Sequence, residues 1–291
     1  MAYPGIGAWL DPNGDGVITE ERGKVPGYLA SAPEGIAEQV TMQAEASQKL
    51  KARREQNGSL TFADMETQAK LNPDGTIADI ELHHATVSTQ LIENLMVSGN
   101  GVASRFLESK GFPTIQRVVK SPEKWDKIVE RSEQIAKKYH VKADLPSQPS
   151  APALREFLNS CKDLPDFAEI SSSMVRLIGR GEYMAFAPGE DPAGHFCLAV
   201  DDYSHFTAPN RRGPDLVLHR MLQAAMAGEP CPYSMEELQA YAAHFTAQEG
   251  NIKKADRTIN KIYDAAWLEQ NLDGLFGQLI LQLARERPYL I

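Results

Sequence analysis

Residues 195–216 constrain this chain more than any other stretch. His195-Phe196-Cys197-Leu198-Ala199-Val200 reads as an apolar strand over 195–201. It runs into Tyr203-Ser204-His205-Phe206-Thr207-Ala208-Pro209-Asn210-Arg211-Arg212-Gly213, a loop dense in aromatic rings, hydroxyls and two adjacent guanidinium groups. Pro214-Asp215-Leu216 then opens a helix through Ala227, with proline in the first turn, where its missing N–H would be unbonded in any case. The planar fork of an arginine donates two parallel hydrogen bonds and never loses its charge, so it suits phosphate. A helix N-terminus beside it adds backbone donors and a favourable dipole. Two readings of the pair stand: a phosphate site, or surface arginines with Asp215 as an ordinary ion-pair partner.

Apolar periodicity supplies the framework around this stretch. Ser31-Ala32-Pro33-Glu34 has the capping-box pattern, and Ile36, Val40, Ala44 and Leu50 predict a helix over 32–57 whose second half, Lys49 to Arg54, is basic. Ser59 to Phe62 and the two sides of Asn72-Pro73-Asp74-Gly75 read as short strands about a tight turn. A long helix is predicted over 86–109, with Leu91, Leu95, Val102 and Phe106 on one face and Gly111 beyond its end. Ser121-Pro122 opens a further helix to His140, the loop 141–152 follows, and two helices are expected at 152–161 and 166–178. A strand is predicted at 182–187, and a second capping box at Ser234-Met235-Glu236-Glu237 starts one or two helices reaching Leu272. Leu275 to Leu283 is a strand candidate, while Met221, Leu222 and Met226 are read as core. The order is α+β with helix in the majority and short antiparallel strands.

Composition narrows the functional classes. The 291 residues carry a net charge of −9, which argues against broad non-specific nucleic-acid binding but permits a narrow basic channel. No apolar run is long enough for a membrane helix. The start Met1-Ala2-Tyr3-Pro4 lacks the basic and apolar regions of a secretory signal. Three cysteines, Cys161, Cys197 and Cys231, lie far apart in neither a zinc spacing nor a disulfide framework, which fits a reducing cytoplasm.

The loop and its flanks resemble the signature of the RNB (RNase II and RNase R) 3′→5′ exoribonucleases, in which a His-Phe strand leads to a His-Phe-Thr loop, a basic pair and a Pro-Asp helix start. Four further segments resemble the same family in the same order. They are Tyr3 to Leu10, Lys51 to Leu60, Leu91-Ile92-Glu93-Asn94-Leu95-Met96 with Asn100 and Ala103, and Gly111 to Val118. The resemblance covers residues 3 to about 222. It implies Mg²⁺-dependent, processive hydrolysis of single-stranded RNA to nucleoside 5′-monophosphates. It also assigns roles: Arg211 to the phosphate being cleaved, Glu93 to the 3′-terminal nucleotide, Tyr3 to packing near the last base, and His205, Thr207 and Arg212 to the loop facing RNA. The chemistry agrees, since a pentacoordinate phosphorus gathers negative charge that arginine and metal ions stabilise. Single strands are gripped by stacking, backbone charge and contacts to the 2′-hydroxyl.

The sequence departs from the family pattern at Cys197 (usually Gly), Gly213 (Tyr or Phe), Gln116 (Tyr) and Asn94 (often a second Glu), and Pro4, Gly5 and Gly7 interrupt the Tyr3 helix. The family's Mg²⁺-binding aspartate cluster would lie upstream of Tyr3, and Asp11, Asp15, Asp64, Asp201 and Asp202 do not reproduce its spacing. The expected organisation is thus a partial RNB catalytic domain at 1–272, with no metal ligands assigned, followed by a C-terminal strand or the start of an S1-like RNA-binding barrel at 273–291. A polypeptide supplying the missing part is an implied partner, alongside single-stranded RNA and without a membrane. The alternative is a non-catalytic RNA- or partner-binding module derived from such an enzyme.

Three other features read more plainly. Asp11 to Thr19 matches the first nine positions of an EF-hand loop, but Arg22 stands at the twelfth, so an Asx- and Gly-rich turn is expected and calcium is the alternative. His83-His84 at a strand end reads as surface or lining. Cys197 reads as a buried, inert thiol, while His219 and Arg220 face either RNA or solvent.

Overall fold

A computed structural model describes residues 3–13, 22–62 and 65–286, and the chain divides into two compact units. The first holds 1–64 and 85–247, the second 65–84 and 248–291. Part of the Asp11–Thr19 loop lies outside the described residues, so its calcium reading has no structural counterpart here.

The first unit begins with α1 (Tyr3–Leu10), α2 (Gly27–Ala30) and α3 (Ile36–Gln56). Ser31 does not cap α3. Its hydroxyl donates back to the Gly27 carbonyl, and Gly35, in the left-handed region, is the N-cap. The helix therefore starts four residues later than the capping box suggested. Helix α1 forms despite Gly5 and Gly7, and those glycines allow close approach. A β-carbon at Gly5 would meet the Tyr28 hydroxyl at 2.7 Å, and one at Gly7 would meet the Ser88 hydroxyl at 3.2 Å. Ile6, Leu29 and Val40 join these three helices in a small apolar cluster.

In the second unit, β1 (Met65–Leu71) and β2 (Ile77–His84) pair antiparallel around the expected Asn72 to Gly75 turn. The predicted strand at 59–62 is absent, and those residues are irregular.

Helix α4 (Val87–Ser109) is capped by a full box between Thr86 and Thr89. Its buried positions are Leu91, Asn94, Val97, Asn100, Ser104 and Leu107, whereas Val102 is 57% exposed. Of the predicted apolar face, Leu91 is buried and Leu95 and Phe106 are partly buried, but Val102 is not, and much of the buried stripe is polar. Strand β3 (Thr114–Val118), not predicted as a strand, pairs antiparallel with β4 (Glu182–Phe186). Helix α5 (Trp125–Tyr139) begins later than Ser121-Pro122 implied, while α6 (Ala151–Cys161) and α7 (Phe167–Ile178) fall where periodicity put them. Trp125, Ile128, Leu154, Phe157 and Met174 bind these three helices into one core.

Helix α8 (Gly213–Ala227) and the first part of α9 (Met235–Glu286) close a second core on α4, β3 and β4 through Leu107, Ile115, Leu218, Met221 and Leu238. Met226, expected inside, is 73% exposed. Ser234 and Glu237 form the expected reciprocal cap at the start of α9. The strand candidate at 275–283 is helical, being part of α9. A run of leucines and isoleucines does not distinguish a strand from a continuing helix. Among the described residues no helix is long and apolar enough to cross a membrane.

Candidate nucleic-acid site

The segment 195–201 is a turn and not a strand. His195 and Val200 form an isolated bridge, and Ala199 takes a left-handed conformation (φ 50°). Cys197 lies half-buried in this turn, and burial pushes its thiol up to about 11. That agrees with an inert thiol.

Beyond the turn, residues 202–208 run along α4 and are fastened to it at three levels. Arg105 pairs with Asp202 at 2.5 Å, the Ser104 and Ser204 hydroxyls meet at 3.2 Å, and Asn100 Oδ1 accepts from the Phe206 N–H at 3.1 Å. Strand β3 holds the other side, where the Arg117 N–H donates to the Tyr203 carbonyl at 2.6 Å. From α8, His219 Nε2 lies 2.6 Å from the Phe206 carbonyl. His219 thus anchors the loop, which the sequence left undecided.

The arginine pair divides into two roles. Asp215 is fully buried, and its Oδ1 accepts from the Ala208 N–H (2.8 Å) and from Arg212 Nη2 (2.8 Å). Arg212 Nη2 also donates to the Thr207 hydroxyl at 3.1 Å. Arg212 is therefore a brace for the loop. Arg211 is exposed, and among the described residues no hydrogen bond or ion pair engages its guanidinium. The ion-pair reading applies to Arg212, which pairs with Asp215.

Gly213 also finds a reason. A β-carbon there would fall on the Phe245 ring, which reaches in from α9. Phe245 stacks on Tyr241 (6.0 Å) and meets Tyr183 edge-on (6.4 Å), so an aromatic from α9 fills the space beside Gly213. Gln116, also a departure, is buried and donates to the Thr114 hydroxyl at 3.2 Å.

Under the loop lies an aromatic ladder in which Tyr203 contacts His195 (5.5 Å) and His205 (5.3 Å) edge-on. His205 Nδ1 sits 2.9 Å from the Tyr183 hydroxyl. Burial, reinforced by Arg212 and Arg117, lowers His205 to about 3. Burial, reinforced by Arg117, lowers His195 to about 4. Both rings are therefore neutral in the folded chain, and His205 acts as a packed, hydrogen-bonded ring. Unfolding restores their ordinary affinity for protons, near 6.5. Their contribution to stability is complete above that value and is lost as pH falls toward 4 and 3. Unfolding free energy from urea titrations should fall between pH 7 and pH 5, by about 1 kcal/mol per pH unit for each histidine. His205→Gln should flatten that slope, and an unchanged slope would contradict the burial argument.

Glu93 stands on the wall of a cavity of about 320 Å³, with Lys51, Arg54 and Asn94 among the polar groups and Leu60, Phe62 and Leu198 among the apolar ones. The Leu60 N–H donates to the Cys197 carbonyl at 2.8 Å, which ties the 195–200 turn to this wall. Burial raises the Tyr203 phenol, and the charges of Arg212, Glu93 and Arg54 all reach it. Cavity and loop are thus electrostatic neighbours. Asn94 is 3% exposed and faces α3, donating to the Ser47 hydroxyl at 2.9 Å. A carboxylate in its place would be buried, which accounts for the amide.

Tyr3 sits at the head of α1, 52% exposed, and its carbonyl accepts from the Ser88 hydroxyl at 2.7 Å. It is not among the cavity-lining residues. Among the described residues no group of three or more His, Cys, Asp or Glu could hold a metal ion, so no metal chemistry is assigned to them. Sequence reasoning overlooked Arg54 and Lys51 as site residues. Their signal was the basic second half of α3, which reads equally well as a solvated face.

The RNB domain model matches residues 8–228. Ribonuclease R 1 of Lactococcus lactis subsp. lactis is 25% identical over 255 residues, covering 86% of this chain and 30% of the relative. Ribonuclease R of Escherichia coli is 29% identical over 235 residues, covering 74% of this chain and 26% of the relative. The chain therefore spans about a third or less of these relatives' length. In fold it is similar to Mycoplasma genitalium RNase R in complex with ribose methylated single-stranded RNA (TM-score 0.75, 19% identity), covering 92% of this chain and 40% of that one. The helix-rich α+β framework and the match over most of its length agree, and the chain belongs to the RNB domain family.

Proposed function

We propose that this chain is the RNA-gripping part of a 3′→5′ exoribonuclease that hydrolyses single-stranded RNA to nucleoside 5′-monophosphates. The observation that carries the reading is the split of the arginine pair. Arg212 is held by Asp215 and Thr207, while Arg211 is left exposed beside the N-terminus of α8, its guanidinium unengaged among the described residues. In this reading Arg211 stabilises charge on the scissile phosphate, and Glu93 accepts from hydroxyls of the 3′-terminal ribose. Tyr3 packs near the last base, and Thr207, His205 and Arg212 shape the loop along which RNA lies. Among relatives, the solved complexes of Mycoplasma genitalium RNase R with RNA support an RNA partner.

Mg²⁺ is the cofactor this reading implies. A separate polypeptide contributing carboxylates is the partner it proposes, and a reducing cytoplasm suits the free Cys161, Cys197 and Cys231. The lack of a metal-binding cluster among the described residues favours a second reading, a non-catalytic RNA-binding module. A 5′-labelled single-stranded RNA incubated with the chain and Mg²⁺ separates the two. Stepwise 3′ shortening supports the exoribonuclease, binding with no shortening supports the module, and failure to bind single-stranded RNA overturns both.

A further inference from the structure

We infer that Arg54 is a positioning residue that fixes the Glu93 carboxylate toward a 3′-terminal ribose, and thereby sets the preference for RNA over DNA at that end. The inference rests on the role proposed for Glu93 above.

Arg54 lies near the C-terminus of α3, and helical side chains lean back toward the N-terminus. It reaches across to α4, where Nη2 donates to Asn94 Oδ1 and stands 3.8 Å from Glu93 Oε1. Its side chain is 14% exposed while that of Glu93 is 50% exposed. The pair thus has a fixed end inside the wall and an accessible end in the cavity. Asn94 is fixed in turn by Ser47, so a continuous polar chain, Ser47–Asn94–Arg54–Glu93, crosses the α3–α4 packing. One turn before Arg54, Lys51 donates to Gln90 at 3.4 Å, and among the described residues Arg54 is the cation within ion-pair distance of Glu93. A glutamate on an exposed helical surface samples many rotamers, and a fixed positive charge 3.8 Å from its Oε1 biases them. A carboxylate held this way accepts from a 2′-hydroxyl, the group that tells ribose from deoxyribose.

The test is binding without turnover, in EDTA and at one salt concentration. The probes are a labelled all-RNA single strand and the same strand ending in a 2′-deoxynucleotide. The native chain should favour the ribose end, and Glu93→Gln should lose that preference. Arg54→Gln should lose about tenfold of it, with no further loss in the double variant, because the two residues act as one unit. An Arg54→Gln chain that weakens both strands equally, or a double variant worse than Glu93→Gln, would overturn the inference while leaving Glu93 in its role. A Glu93→Gln chain with unchanged preference would overturn the proposed role itself, and this inference with it. Should Arg54→Gln fail to fold, Arg54→Lys decides. Lysine keeps the charge but not the planar, rigid geometry of the guanidinium, and a native preference there would contradict positioning by the guanidinium.

Discussion

Under the proposed exoribonuclease reading, replacing Arg211 with alanine should lower RNA turnover by about 10²–10³-fold while leaving the unfolding midpoint where it is. The expected loss is that of one preorganised donor aimed at developing phosphate charge. The expected silence in stability comes from the structure, since Arg211 is exposed and its guanidinium braces nothing among the described residues. Arg211→Lys keeps the charge but not the fork, so it should recover only part of the rate. If the chain binds without cutting, the same substitution should weaken binding and reduce its salt dependence, because a phosphate contact is lost. Native behaviour of Arg211→Ala in both rate and affinity, measured beside its thermal unfolding, would remove the residue from the site.

The next residue should behave in the opposite way. Asp215→Ala is expected to destabilise the fold by about 3 kcal/mol, because it strands a largely buried Arg212 and the Ala208 N–H at once. Arg212→Ala should be similarly harmful, leaving the fully buried Asp215 carboxylate without its cation. Asp215→Asn keeps an acceptor for Ala208 and should cost less than Asp215→Ala. Chemical denaturation gives the ordering directly. If Asp215→Ala were as stable as the native chain, the division of labour between the two arginines would be wrong.

That division marks the limit of what the sequence made legible. Arg211 and Arg212 are identical side chains one position apart, and nothing in composition says which faces inward. The answer depends on Asp215, which sits three residues beyond Arg212, on the buried face of α8. The helices α5, α6, α7 and α8 were readable from their apolar period, and at α6 the cap Ser150 and the proline of the first turn agreed with it. The 195–200 turn was not readable, since its apolar run satisfies a strand pattern while the bridge from His195 to Val200 folds it back on itself. Helix α4 misled for a related reason. Its buried stripe contains Asn94, Asn100 and Ser104, which a hydrophobic count discards although they fasten α3 and the 202–208 loop. The surroundings of Gly213 and Asn94 also became legible only in three dimensions, through Phe245 and Ser47.

The central claim is that an RNA 3′ end enters the Glu93 cavity while its phosphate meets Arg211. Photo-crosslinking tests this most directly, using a single-stranded RNA that carries 4-thiouridine as its last nucleotide, with the crosslinked peptides mapped by mass spectrometry. Crosslinks confined to the cavity wall around Leu60, Phe62 and Glu93 and to the 195–212 segment are the predicted result. Crosslinks concentrated instead on α5 and α7, around Lys127 and Arg176, would place the 3′ end elsewhere and contradict the account.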